Sequence, residues 1–131
     1  MARPAPTPVQ SGTTPERSLE AALRRAGIDG WEAQPHDLGG AQPDFFFRHT
    51  LPSPVAVYVD GCQWHGCARH YRPHRGAHGL SPEGVQRQRH RDRINTAMLE
   101  ARGMKVLRLW SHEIKADADV CARRVKEALG R

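Results

Sequence analysis

The chain has 131 residues, 38% of them hydrophobic, a net charge of +6 and only three cysteines. That length fits one domain able to bury a core of its own. The composition offers no run near the roughly 18 apolar residues of a membrane span, and the N-terminus has no signal-peptide pattern, so the expected compartment is the cytoplasm, near the nucleoid. Three cysteines in that setting point to metal binding before disulfides. Residues 1–13 hold Pro4, Pro6 and Pro8 among small polar residues, which predicts a disordered tail ahead of a domain over 14–131. Thr14-Pro15-Glu16 opens a helix: Thr14 suits the cap, Pro15 the first turn, and Glu16 the positive end of the helix dipole. Leu19, Ala22, Leu23 and Ala26 form its apolar stripe and Gly27 its stop.

A short strand is possible near 31–34. Pro43 then introduces a strand over 44–48, with three phenylalanines for bulk and Asp44 at its start. After a turn with two prolines, Val55–Asp60 reads as a buried strand antiparallel to the first. Residues 71–84 read as a loop, and a helix follows to about Arg102, its buried face expected at Ile94, Ala97, Met98 and Ala101. Met104–Trp110 reads as a third strand. A final helix over about 117–129 is expected to bury Val120, Cys121, Val125, Ala128 and Leu129. The order predicts an α/β domain with a small mixed β-sheet flanked by helices.

Chemistry concentrates just past the central strand, in Asp60-Gly-Cys-Gln-Trp-His-Gly-Cys-Ala-Arg-His70. Strand ends are rigid, so side chains placed there are held accurately. Glu16, Asp44, Asp60 and Asp92 are acids at element starts and ends; each alone suits a cap or a surface, and together they suit a hard divalent cation. Cys62, Cys67 and His70, with His112 after the third strand, match the donor types of a tetrahedral zinc. His74 and His78 compete with His70, and Cys62 also suits the core. His65 has the near-neutral pKa of a general base. The chain has 17 arginines against 3 lysines, and residues 65–93 hold seven arginines, five histidines and only two acids. A GC-rich coding bias explains the overall excess equally well, but the clustering of Arg69, Arg72, Arg87, Arg91 and Arg93 suits a phosphate backbone.

TPERSLEAALRRAGI, QPDFFF, VYVDGCQWHGCARH and RDRINTAMLEARGMKVLRLW, in that order over residues 14–113, resemble the very-short-patch repair (Vsr) endonucleases of the PD-(D/E)XK, restriction-endonuclease-like superfamily. In that subfamily a histidine, here His65, stands in for the superfamily's usual catalytic lysine; none of Lys105, Lys115 and Lys126 lies on the central strand. The resemblance implies a restriction-endonuclease-like core and a Mg²⁺-dependent endonuclease, nicking double-stranded DNA in mismatch repair or defence. By position it implies Mg²⁺ on Asp44 and the Val59 carbonyl, His65 as general base, Glu16 positioning water at the metal, Asp92 orienting the site or binding near the scissile phosphate, and zinc near Cys62, Cys67 and His112. His70 as fourth ligand is our reading of the spacing. Asp60 stands where the family has a second histidine, and either binds a second cation or orients His65. Gln63 replaces one of the family's DNA-wedging aromatics, leaving Trp64. Two other readings stay open: a catalytically decayed, zinc-stabilised DNA-binding module, and a nuclease subunit whose protein partner supplies target choice.

Overall fold

The computed structural model describes residues 14–72 and 81–131; the predicted N-terminal tail lies outside them, as do His74 and His78. Eight elements follow in order: α1 (Thr14–Arg25), β1 (Phe45–Phe47), β2 (Val55–Asp60), α2 (Cys62–His65), α3 (Pro82–Ala101), β3 (Lys105–Trp110), α4 (Ser111–Ala116) and α5 (Ala118–Ala128). The sheet order is β1-β2-β3. β1 pairs antiparallel with β2, Phe46 opposite Ala56, and β2 pairs parallel with β3 from Val55–Lys105 to Asp60–Trp110. This is the α/β architecture with a small mixed sheet that the sequence predicts. The segment around 31–34 contributes a single antiparallel bridge, Glu32 to Phe46.

Pleating sends alternate side chains to opposite faces, and each face has its own core. Phe45, Phe47, Val55, Val57, Val59 and Leu109 pack with Leu19, Leu23, Ile114 and Val125 of α1, α4 and α5. Trp31 seals this side, its ring edge-on to Phe45 at 5.5 Å. Phe46, Ala56 and Tyr58 face the other way, against Leu99 of α3. No described helix is long and apolar enough to cross a membrane.

α3 turns a different face to the sheet from the one its apolar residues suggest. Ile94 is 52% exposed, and Ala97 and Ala101 are also exposed. The inward stripe runs Val85, Gln88, Asp92, Thr96, Leu99, in steps of three and four. Its middle is polar because Thr96 accepts from Arg108 of β3, Asp92 bonds His65 of α2, and Gln88 donates to Asp92. Val120 is likewise exposed on α5, whereas Cys121, Val125 and Leu129 are buried.

Gly66 sets how close α3 comes. It ends α2 at φ +71°, and a β-carbon there would stand 2.5 Å from a Val85 methyl. Only glycine meets both conditions without strain.

Candidate active site and metal centre

Parallel pairing of β2 with β3 brings Asp60 and Trp110 side by side, so the chain leaves both strands at one edge of the sheet. α2 follows β2 and α4 follows β3 at this edge. A cleft of about 420 Å³ opens here, lined by Glu16, Val59, Trp64, His65, Ser111 and Lys115 among others. Glu16 lies in the first turn of α1 and is only 8% exposed; Trp64 is 48% exposed at the cleft mouth.

Behind His65 lies an acidic pocket. His65 Nδ1 is 2.7 Å from Asp92 Oδ2 and 3.8 Å from Asp60 Oδ1. Gln88 donates to the other Asp92 oxygen at 3.0 Å. With neutral His65 the Nδ1 proton sits on the carboxylate side, leaving Nε2 as the proton acceptor. Burial on its own would lower the His65 pKa, but the Asp92 hydrogen bond and the charges of Asp60 and Asp92 outweigh it and raise the value. For Asp92 burial pushes upward, yet the bonds from His65 and Gln88 prevail and hold its carboxyl below the usual range.

Asp44 precedes β1, and its Oδ2 accepts the Val59 N–H at 2.7 Å. That bond ties the start of β1 to the cleft end of β2. Burial raises the Asp44 pKa beyond what this bond lowers, and the charge of Asp60 adds to the rise. Burial raises Asp60 as well, against the charges of His65 and Arg108. Asp44, half-buried beside the Val59 backbone that lines the cleft, is the carboxylate placed to offer a hard oxygen to a divalent cation there.

Sequence reasoning missed two cations of this region. Arg108 of β3 donates from one nitrogen to both Asp60 oxygens at 3.1 and 3.3 Å, and from the others to Thr96 Oγ1 at 2.9 Å and the Asp92 carbonyl at 3.2 Å. Its guanidinium lies 4.0 Å from the centre of the Tyr58 ring. The signal was available only as strand alternation, which puts Arg108 on the face of Tyr58 and Asp60. Lys115 lines the cleft from α4, although it belongs to none of the strands.

The second cluster begins at Cys62, the first residue of α2. Cys62, Cys67, His70 and His112 offer ligand atoms all within 4.8 Å of one another. Cys62 Sγ and Cys67 Sγ stand 3.3 and 3.6 Å from His112 Nδ1, and Cys67 Sγ is 3.8 Å from His70 Nδ1. Sulfur and nitrogen bound to one tetrahedral zinc, at about 2.3 and 2.0 Å from it, lie about 3.6 Å apart. The four residues therefore fit zinc in both type and spacing. Desolvation and nearby cationic side chains lower the His70 pKa, favouring the neutral imidazole that ligation needs. Gln63 closes this loop, exchanging hydrogen bonds through its amide with the backbone of Arg72.

The basic residues stay outside both clusters. Arg69 and Arg72 follow α2, Arg87, Arg91 and Arg93 lie along α3, and all five are exposed.

No family model matches the chain. It is 37% identical over 113 residues to the type II nicking enzyme V.NaeI of Lentzea aerocolonigenes, a match covering 83% of this chain and 66% of that one. The type II nicking enzyme V.NmeDIP of Neisseria meningitidis serogroup C is 32% identical over 120 residues, covering 90% of this chain and 78% of that one. The chain thus spans just under two thirds of the first relative and over three quarters of the second. Among solved structures, the catalytic domain of the homing endonuclease I-Bth0305I matches with a TM-score of 0.57 at 19% identity, over 89% of this chain and 94% of that one. The fold is shared with that domain.

Proposed function

The chain belongs to the family of the type II nicking enzymes, and on that premise we propose that it is a divalent-metal-dependent endonuclease that hydrolyses one strand of duplex DNA. The observation that carries this reading is His65: it lines the cleft while Asp92, 2.7 Å from Nδ1, holds the imidazole with Nε2 as acceptor. That is the arrangement a general base needs to take a proton from an attacking water.

Asp44 and the Val59 carbonyl would hold Mg²⁺, which when bound polarises the phosphate and stabilises charge in the transition state. Glu16, buried in the cleft wall, orients water. Lys115 and the exposed arginines hold the phosphate backbone, so affinity falls as salt rises. Trp64 offers an exposed ring for a base to stack against. Cys62, Cys67, His70 and His112 would hold a structural zinc that fixes α2, and with it Trp64 and His65. A single active centre per chain supports a nick over a double-strand cut. The resemblance to very-short-patch repair endonucleases favours repair or defence as the setting of that nick, with a protein partner choosing the target if the chain alone is unselective. Gln63 engages Arg72 instead of offering a second aromatic wedge, which leaves Trp64 as the remaining one and makes nuclease chemistry better supported than mismatch specificity.

The test is nicking of supercoiled plasmid with Mg²⁺ or Mn²⁺. His65→Ala and Asp44→Ala are each expected to slow it by about 10²–10⁴-fold. Variants that nick at the parent rate overturn the assignment, and DNA retardation without cleavage under any divalent ion favours the decayed binding module.

A further inference from the structure

Asp60, His65 and Asp92 bring three ligand atoms within 4.8 Å of one another. By donor type this is a second place for a divalent ion beside the one assigned to Asp44. The pocket already has a cation. Arg108 reaches it from β3 with a side chain only 21% exposed, one nitrogen within 3.3 Å of both Asp60 oxygens and 3.7 Å from Asp92 Oδ1. Four constraints hold the guanidinium there: the Asp60 fork, Thr96, the Asp92 carbonyl and the Tyr58 ring. A side chain tied at every donor-bearing end is preorganised and does not leave when an ion arrives.

We infer that the Arg108 guanidinium is a built-in cation that fills the acidic pocket behind His65 and limits the centre to one exchangeable divalent ion. Asp60 and Asp92 then serve to hold His65 and are withheld from metal. Arg108 is a positioning residue: it is not among the residues lining the cleft, and it acts through the two carboxylates. The inference rests on the reading of Asp44 as ligand to a catalytic ion, but the site it concerns is separate.

The zinc-loaded full chain, titrated with Mn²⁺ and followed by the electron paramagnetic resonance of the free ion, is expected to hold one manganese. Arg108→Met, whose unbranched side chain still covers Tyr58, is expected to hold two, and Arg108→Met/Asp60→Asn one again. Two ions in the parent, or one in a folded Arg108→Met, overturns the inference. Because Arg108→Met strands a buried carboxylate, its melting temperature is also measured with and without Mn²⁺. A larger rise than the parent's supports the inference, and an equal or smaller rise overturns it. The Asp44 reading fails independently, if the parent's single ion persists in Asp44→Asn.

Discussion

The two clusters that share α2 are balanced in opposite ways. On the acidic side each carboxyl has a protein partner: Asp92 has His65 and Gln88, Asp60 has Arg108, and Asp44 has the Val59 N–H. On the thiol side the four donors meet one another through sulfur–nitrogen contacts of 3.3–3.8 Å, too weak to order a loop, while Cys62 also meets Ser111 Oγ at 3.2 Å. The acidic side is a preorganised polar network supported by sheet and helix. The thiol side has ligand spacing and few hydrogen bonds, Cys62 to Ser111 and Gln63 to the Arg72 backbone, and a metal ion would add the cross-link that these do not make. Rigid secondary structure lets a site carry its own countercharge, whereas a loop without a core depends on a cross-link.

Removing zinc tests that contrast most severely. A chelator, or Cys67→Ser, is expected to release about one zinc per chain, to lower the melting temperature by about 10 °C or more, and to abolish nicking. Metal content by mass spectrometry alongside a melting curve checks it. His65 lies between Cys62 and Cys67, so loss of the loop removes the base as well. Unchanged melting after complete chelation would mean that the thiol cluster stands by itself, and the two regions would no longer differ.

Asp92→Asn probes the acidic side. His65 is a base only when neutral, and its raised pKa places the acid limb of the nicking rate above its ordinary value of about 6.5. Without the Asp92 charge that midpoint moves to lower pH, and the plateau rate falls by roughly 10–100-fold as the ring orientation loosens. Stability has the opposite sense. A histidine raised on folding contributes fully below its unfolded value, and the contribution disappears as pH rises through the folded value. Asp92, held low, loses its own contribution as pH falls through the carboxylate range. Parent and variant melting curves should therefore differ most in the mildly acidic window between that range and the raised His65 value, and less as pH rises through the latter. A rate profile whose acid limb does not move separates His65 from the reaction.

The scaffold was more legible in the sequence than the site it carries. β2 is found at the predicted Val55–Asp60, and β3 and α3 agree to within a residue or two, because alternating valines, a Ser-Pro-Glu start and a closing glycine are local signals. The resemblance put Asp92 near the site and Cys62, Cys67 and His112 near one another, and spacing added His70, but the direct bond between Asp92 and His65 was not legible. Nor was the face of α3. Apolar periodicity finds a helix's inward side only where that side is apolar, and here Gln88, Asp92 and Thr96 occupy it. Arg108 escaped for the same reason: an arginine in a strand reads as solvent-facing until the partners that neutralise it are known. Asp60 read as an open choice between metal and imidazole because its true partner lies 48 residues further along the chain.

The smallest effect concerns the one buried side-chain hydroxyl on the acidic side that the network leaves out. Tyr58 is 8% exposed, and its hydroxyl has no hydrogen-bond partner among the described residues. Burial also pushes its pKa up to about 12, so it stays protonated throughout the working range. Its ring supports Arg108 from beneath, a role phenylalanine performs as well. Tyr58→Phe removes an unsatisfied polar atom and keeps the ring, so stability should stay level or rise by up to about 1 kcal/mol, with nicking unchanged. Chemical denaturation of parent and variant measures it. A loss of more than about 1 kcal/mol would show that the hydroxyl is bonded to buried water, and that the acidic network extends beneath Arg108 to include it.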